Sequence, residues 1–375
     1  METFRELEVR IGGERVGTLA LYRGSLAAFE YAEGWLQRGF AVSPFSLPLQ
    51  KKLYIPRQEP FDGLFGAFAD SLPDGWGRLL VDRMLLREHM KPHEVDSLNR
   101  LAIVGGSGMG ALTYHPCHEL QSRAAGLEYD RIADECRKVL ESEYSEDLDE
   151  LFMLGGSSGG ARPKILTRID GEDWIVKFPS LADGSDAGEL EHRYSLCAGK
   201  CGIEMAETRL FPSKRCAGYF GTKRFDRAGT GKRVHMLSVS ALLETSHRMP
   251  NLDYNSLMQL TLELTKDYSE VEKMFRLMCF NVHAHNRDDH SRNFSFLYDE
   301  ERGGWKMAPA YDLTYSSSLG GEHATCVNGN GRDPSAEDIL AVAGRIGMAK
   351  AKSREIAEQV RQTVSEELGV LPARN

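Results

Sequence analysis

The chain has 375 residues, enough for two or three structural units with a large core, and a formal charge of -9 that argues against autonomous binding to nucleic acid. Its seven cysteines contain no CxxC pair, which argues against a disulfide framework or a cysteine zinc site and predicts reduced thiols in a cytoplasm. The opening "METFRELEVRIGGERVGTL" has no apolar h-region, and no apolar run is long enough to cross a bilayer, so a cytoplasmic protein without membrane contact is expected.

Short alternating runs, "LEVRIGG", "VGTLALYRG" and "LAAFEYAEGWL", predict a small twisted antiparallel sheet with glycine turns. "FDGLFGAFADSLPDGWGRLLVDRML" reads as a helix broken at "SLPDGWG" and resumed with Asp74 as N-cap; no chemistry is assigned to it. "RLAIVGGSGMGALTYH" reads as strand, glycine turn and strand, which closes a β-rich unit over 1–118. An acidic helical stretch leads into a second β-rich unit over 127–238, with a glycine turn in "GGSSGGARPK" and a hairpin turning at Asp170, Gly171 and Glu172. Residues 239–375 read as mainly helical, and the whole as an α+β architecture.

The densest polar stretch is "HNRDDHSRNFSF", from His285 to Phe296. It lies between a helix with apolar Val271, Met274, Phe275, Met278 and Cys279 and the buried strand "FSFLY". A polar knot between two core elements suits chemistry better than a solvated loop does.

Phosphoryl transfer needs a backbone cradle, a lysine, oxygen ligands for magnesium and a proton acceptor, and each can be found here. The cradle is the glycine turn, with Ser157, Ser158, Gly159 and Gly160, although it is not a Walker A sequence and a plain flexible turn competes with it. Lys177 in "WIVKFPS" and Lys164 from the turn are rival phosphate lysines. Asn293 and Asp312, the latter in "MAPAYDLTYS", offer oxygen to a magnesium ion, and Asp288 would accept the substrate hydroxyl proton. Asp289 would then point elsewhere and orient the loop. A zinc site of His283, His285 and His290 is the competing reading, but the first two lie at i and i+2 on a helix end and diverge. The histidines, His290 included, are expected to support backbone groups of the loop.

Taken in order, "FDGLFGAFADSLPDGWGRLL", "GGSSGGARPK", "WIVKFP", "TKRFDR", "NRDDHSRNFSF" and "APAYDLTYS" make the chain resemble the HipA family of serine/threonine-protein kinases, toxins of bacterial type II toxin–antitoxin systems. The resemblance implies a HipA-like kinase fold, related to lipid and protein kinases. It would have a small N-terminal antiparallel β-rich subdomain, a nucleotide-binding β-rich lobe and a mainly helical C-terminal catalytic lobe. It implies dependence on ATP and Mg2+, with Lys177 as ATP lysine, Asp288 as catalytic aspartate, and Asn293 and Asp312 as metal ligands. It further implies inhibitory autophosphorylation at Ser157, with Ser158 as second choice, where added negative charge would repel nucleotide phosphates. Glu191 would pair with Lys177 by analogy with other kinases, a solvated helix glutamate being the alternative. The implied partners are a small helix-turn-helix (HipB-like) antitoxin that carries any DNA contact and a protein substrate such as an aminoacyl-tRNA synthetase. The sequence departs from the family pattern at Asp289, where glycine is common, and at Arg292, where lysine is common. Two other readings share these residues: an idle antitoxin-binding corepressor and a small-molecule kinase.

Overall fold

Alternating burial along the first thirty or so residues builds β1 (Glu6–Ile11), β2 (Glu14–Tyr22) and β3 (Leu26–Tyr31), one face of each turned into a core. A computed structural model describes residues 2–118, 128–143, 145, 147–156, 159–229 and 231–369. The short helices α1 (Glu33–Arg38) and α2 (Gly66–Ala69) are followed by α3 (Gly75–Arg87), α4 (Ser97–Val104) and β4 (Thr113–His115). Next come α5 (Tyr129–Leu140), α6 (Leu148–Gly155), β5 (Lys164–Ile169), β6 (Glu172–Lys177) and α7 (Ala187–Lys200). β7 (Thr208–Phe211), β8 (Tyr219–Lys223), β9 (Arg227–Ala228), β10 (Lys232–Arg233), β11 (Met236–Ser238) and α8 (Val239–Leu242) follow. The chain then runs through β12 (Leu252–Asp253), α9 (Tyr254–Thr265), α10 (Tyr268–His283), β13 (Ser295–Asp299), β14 (Gly304–Met307), β15 (Thr325–Cys326), α11 (Ala336–Arg345) and α12 (Lys350–Leu368). Residue packing divides it into one unit of residues 1–188 and 210–245 and a second of 189–209 and 246–375.

In the first unit the N-terminal strands form an antiparallel sheet of order β3-β2-β1-β4. Leu101–Val104, expected as a strand, form the last turn of α4. The Asp96 carboxylate accepts the Asn99 amide at 2.8 Å and starts the helix, and Leu98, Leu101 and Ala102 bury its inner face. A short apolar run alone does not distinguish strand from buried helix.

β5 and β6 pair antiparallel from Lys164 opposite Lys177 to Ile169 opposite Glu172, and β8 lies on the other side of β6. Their turn is one residue shorter than expected. Asp170 and Gly171, at φ of 54° and 83°, make the left-handed pair that a two-residue hairpin requires, and Glu172 already belongs to β6. One core joins both stretches of this unit: Trp76, Leu80 and Leu85 pack with Cys136, Ile165, Val176 and Tyr219. Each fully buried large side chain there contributes about 1.5–3 kcal/mol.

The "KRFDR" stretch is structural. Arg224 grips Asp226 through Nε at 2.9 Å and Nη2 at 2.7 Å, while Arg227 Nη1 and the Gly110 amide reach the same carboxylate. Burial alone would raise the Asp226 pKa, but the Arg224 and Arg227 charges hold it below the ordinary carboxylate value.

In the second unit, Asp267 caps α10 by accepting from the Ser269 amide, and the predicted stripe Val271, Met274, Phe275, Met278 and Cys279 is buried. The hairpin β13–β14 pairs Phe296 with Met307 and Asp299 with Gly304. Ser335 and Asp338 form a reciprocal cap at the start of α11. Among the described residues no helix is long and apolar enough to cross a membrane.

Candidate active site

Two groups of candidate residues take shape, one in each unit. In the first unit α6 ends at Gly155, and the Gly156 amide closes it on the Phe152 carbonyl. Ser157 and Ser158, the expected autophosphorylation positions, lie outside the described residues. Beyond them Gly160 rests on Lys164: a Cβ built on Gly160 would stand 2.6 Å from the lysine Nζ. Lys164 is 7% exposed, so its ammonium sits beneath the turn instead of reaching into bulk water.

Lys177 is directly opposite Lys164 across the strand pair, and its ammonium stands 5.6 Å from the centre of the Phe220 ring. The exit from the turn is fixed from both sides. Arg162 forks onto Asp183 at 2.8 and 3.1 Å, and the Phe178 amide donates to the Pro163 carbonyl at 2.8 Å.

Asp74, read from sequence as an N-cap, occupies that position on α3 but makes no side-chain cap bond there. Its carboxylate instead accepts the Gly160 amide, and the Trp76 amide donates to the Gly160 carbonyl at 3.0 Å. Sequence reasoning missed this contact because "SLPDGWG" carries ordinary helix-start residues.

In the second unit the polar loop hangs from a buried network. Asn281 Nδ2 donates to the Tyr254 hydroxyl at 2.9 Å, and that hydroxyl donates to Asp289 Oδ2 at 2.8 Å. Asp289 also takes the Thr325 amide, and its Oδ2 lies 3.0 Å from His323 Nδ1. Burial, reinforced by the Asp289 charge, pushes the Tyr254 phenol well above its ordinary pKa and keeps it a donor. Asp289 therefore points away from Asp288 and orients the loop from within, as expected for it.

Asp288 faces outward, with Oδ1 3.9 Å from His290 Nε2. His290 Nδ1 accepts the Arg292 amide at 3.2 Å, which leaves the ring proton on Nε2, the edge nearer Asp288. Asn293 closes the loop by donating from Nδ2 to the Asp288 carbonyl at 2.7 Å.

Asp312 enters from the far side of the hairpin at a left-handed φ of 57°. Its neighbour Tyr311 donates its hydroxyl to the Arg292 carbonyl at 2.5 Å and shares a hydrogen bond with Ser295 Oγ at 2.6 Å. The chain at Asp312 is thus tied to the chain at Asn293. Asn293 and Asp312, the two oxygen donors expected from sequence, therefore lie on segments joined through Tyr311.

Burial pulls the His283 pKa down to about 4 and lowers that of His285, so both favour the neutral ring. Among the described residues no group of three or more His, Cys, Asp or Glu side chains could hold a metal, which leaves the histidine zinc reading without a ligand set there. A site completed by an asparagine is of a different kind. Glu191 is 1% exposed on α7, which removes the solvated alternative for it.

The model of the HipA-like C-terminal domain matches residues 156–368, and that of the HipA N-terminal domain matches residues 7–115. The chain belongs to the HipA family. It is similar to two Sinorhizobium fredii (strain NBRC 101917 / NGR234) proteins. One is "Putative kinase Y4mE", 28% identical over 83% of this chain and 77% of the relative. The other is "Putative kinase Y4dM", 24% identical over 82% of this chain and 76% of the relative. Among solved structures it matches a chain of the Shewanella oneidensis MR-1 complex of HipA, HipB and operator DNA, with a TM-score of 0.71 and 18% identity over 98% of this chain and 92% of that one. The fold is HipA-like.

Proposed function

We propose that the chain is an ATP- and Mg2+-dependent serine/threonine-protein kinase that acts as the toxin of a type II toxin–antitoxin module. The observation that carries this reading is the tie from Tyr311 to Arg292, which joins the segments of Asp312 and Asn293 beside the outward-facing Asp288. Bound magnesium would supply charge neutralisation to the nucleotide phosphates, and Asn293 and Asp312 would hold it. Lys164 and Lys177 bind phosphate oxygens, and the Gly159–Gly160 turn covers them. Asp288 takes the proton of the acceptor hydroxyl, and His290 positions its carboxylate.

Autophosphorylation at Ser157, or at Ser158, adds close to two negative charges to the turn and silences the enzyme by repelling nucleotide. The partner is a small HipB-like helix-turn-helix antitoxin, in keeping with the Shewanella complex of HipA, HipB and DNA, and DNA is contacted through that partner. The net charge of -9 fits this division. The substrate is a cytoplasmic protein, an aminoacyl-tRNA synthetase being the first to try.

Calorimetric titration with ATP tests the reading. Wild type should bind ATP in Mg2+ and lose most of that affinity when the ion is chelated. Asp312→Ala should bind ATP equally weakly with or without Mg2+. ATP binding that ignores Mg2+ in wild type would sink the assignment of Asn293 and Asp312.

A further inference from the structure

The stretch to which the sequence reading assigns a helix cap but no chemistry, Asp74-Gly75-Trp76, meets the glycine turn through each of its three residues. The Asp74 carboxylate accepts the Gly160 amide, and the Trp76 amide donates to the Gly160 carbonyl at 3.0 Å, so both polar groups of this glycine are held by one short segment. The approach is close enough to require glycine at position 75. A Cβ on Gly75, whose φ is +44°, would fall 2.4 Å from the Gly160 oxygen, and one on Gly155 would fall 3.0 Å from Trp76 Nε1. The support beneath is rigid: Trp76 is buried and packs with Leu80, Val81 and Leu85 of α3 in the main core.

We propose that Asp74, Gly75 and Trp76 form a latch that fixes the glycine turn over Lys164, and that Asp74 is a positioning residue for nucleotide binding. The second clause rests on the kinase reading; the first does not. An unlatched turn must be ordered by the ligand itself, and immobilising even one residue's backbone corresponds to on the order of tenfold in affinity. A latched turn has already met that cost, which is preorganisation of a binding loop. The grip also assigns the Gly160 amide to protein, so phosphate contacts must come from other groups of the turn and from the two lysines.

Hydrogen–deuterium exchange on the full chain, without nucleotide, tests the latch. Asp74→Ala should speed exchange in the peptide containing Gly159 and Gly160, whereas Asp74→Asn, whose amide oxygen can still accept, should remain near wild type. Unchanged exchange in Asp74→Ala would overturn the latch, and near-ultraviolet dichroism on each variant separates this from unfolding. Titration with a fluorescent ATP analogue tests the positioning role: about tenfold weaker binding is expected for Asp74→Ala and under about threefold for Asp74→Asn. Equal or tighter binding by Asp74→Ala would overturn it. If wild type binds no nucleotide, the positioning role falls with the kinase reading, and exchange alone decides the latch.

Discussion

Asp288 and Asp289 share a peptide bond and face opposite environments. The Asp288 side chain is 62% exposed beside His290, while that of Asp289 is fully buried against Tyr254, His323 and Thr325. The loop is turned at this bond so that one carboxylate anchors and the other is presented.

This contrast predicts opposite consequences for substitution. Asp289→Ala strands the Tyr254 hydroxyl and the Thr325 amide in the core and should cost about 3 kcal/mol of stability. Asp288→Asn should alter stability by less than about 0.5 kcal/mol and remove phosphoryl transfer. Urea unfolding of both variants checks the first half, and equal midpoints would contradict it.

Lys164 and Lys177 stand opposite each other on β5 and β6. Replacing either with methionine removes one charged partner for phosphate and should weaken ATP binding about tenfold or more. If both lysines hold the same phosphate group, the two losses should not add. A double variant in a fluorescence titration measures the coupling.

Tyr311→Phe removes one hydroxyl, the group that joins Arg292 to Ser295. The expected stability loss is small, about 1 kcal/mol. The Mg2+ concentration for half-maximal activity should rise about threefold or more, since Asn293 and Asp312 would no longer be held in register. An unchanged Mg2+ dependence would show that the tie does not serve the metal ligands.

His235 gives a pH signature. It is fully buried with Nε2 2.8 Å from the Val42 carbonyl, and burial pulls its pKa down to about 4. The unfolded chain takes up a proton below about pH 6.5 while the folded chain resists until about 4. Stability from this group is therefore complete above 6.5 and is lost as pH falls toward 4, about 2 kcal/mol by pH 5. His235→Gln should flatten that part of the profile in urea melts at pH 7.5 and 5.

Much of this was legible in the residues, for reasons that differ by element. The α10 stripe from Val271 to Cys279 has the helical period and is buried as read. The Asp170-Gly171 turn carries its own backbone chemistry. Leu101–Val104 misled because four apolar residues fit either element, and the deciding Asp96 cap lies five residues upstream. Tyr311, His323 and Asp74 were not legible as functional. Their roles come from contacts across 19, 34 and 86 positions of sequence, which no local pattern records. Gly75 is required by close backbone approach to Gly160, but within "SLPDGWG" it reads as an ordinary helix-start residue.

The most direct test of the central claim is incorporation of label from γ-phosphate-labelled ATP into the purified chain in Mg2+, mapped by peptide. Wild type should become labelled on the peptide containing Ser157 and Ser158, Asp288→Asn should stay unlabelled while still binding ATP, and chelation of Mg2+ should abolish the signal. Wild type that binds ATP and Mg2+ yet labels neither itself nor any protein in a lysate would contradict the kinase assignment.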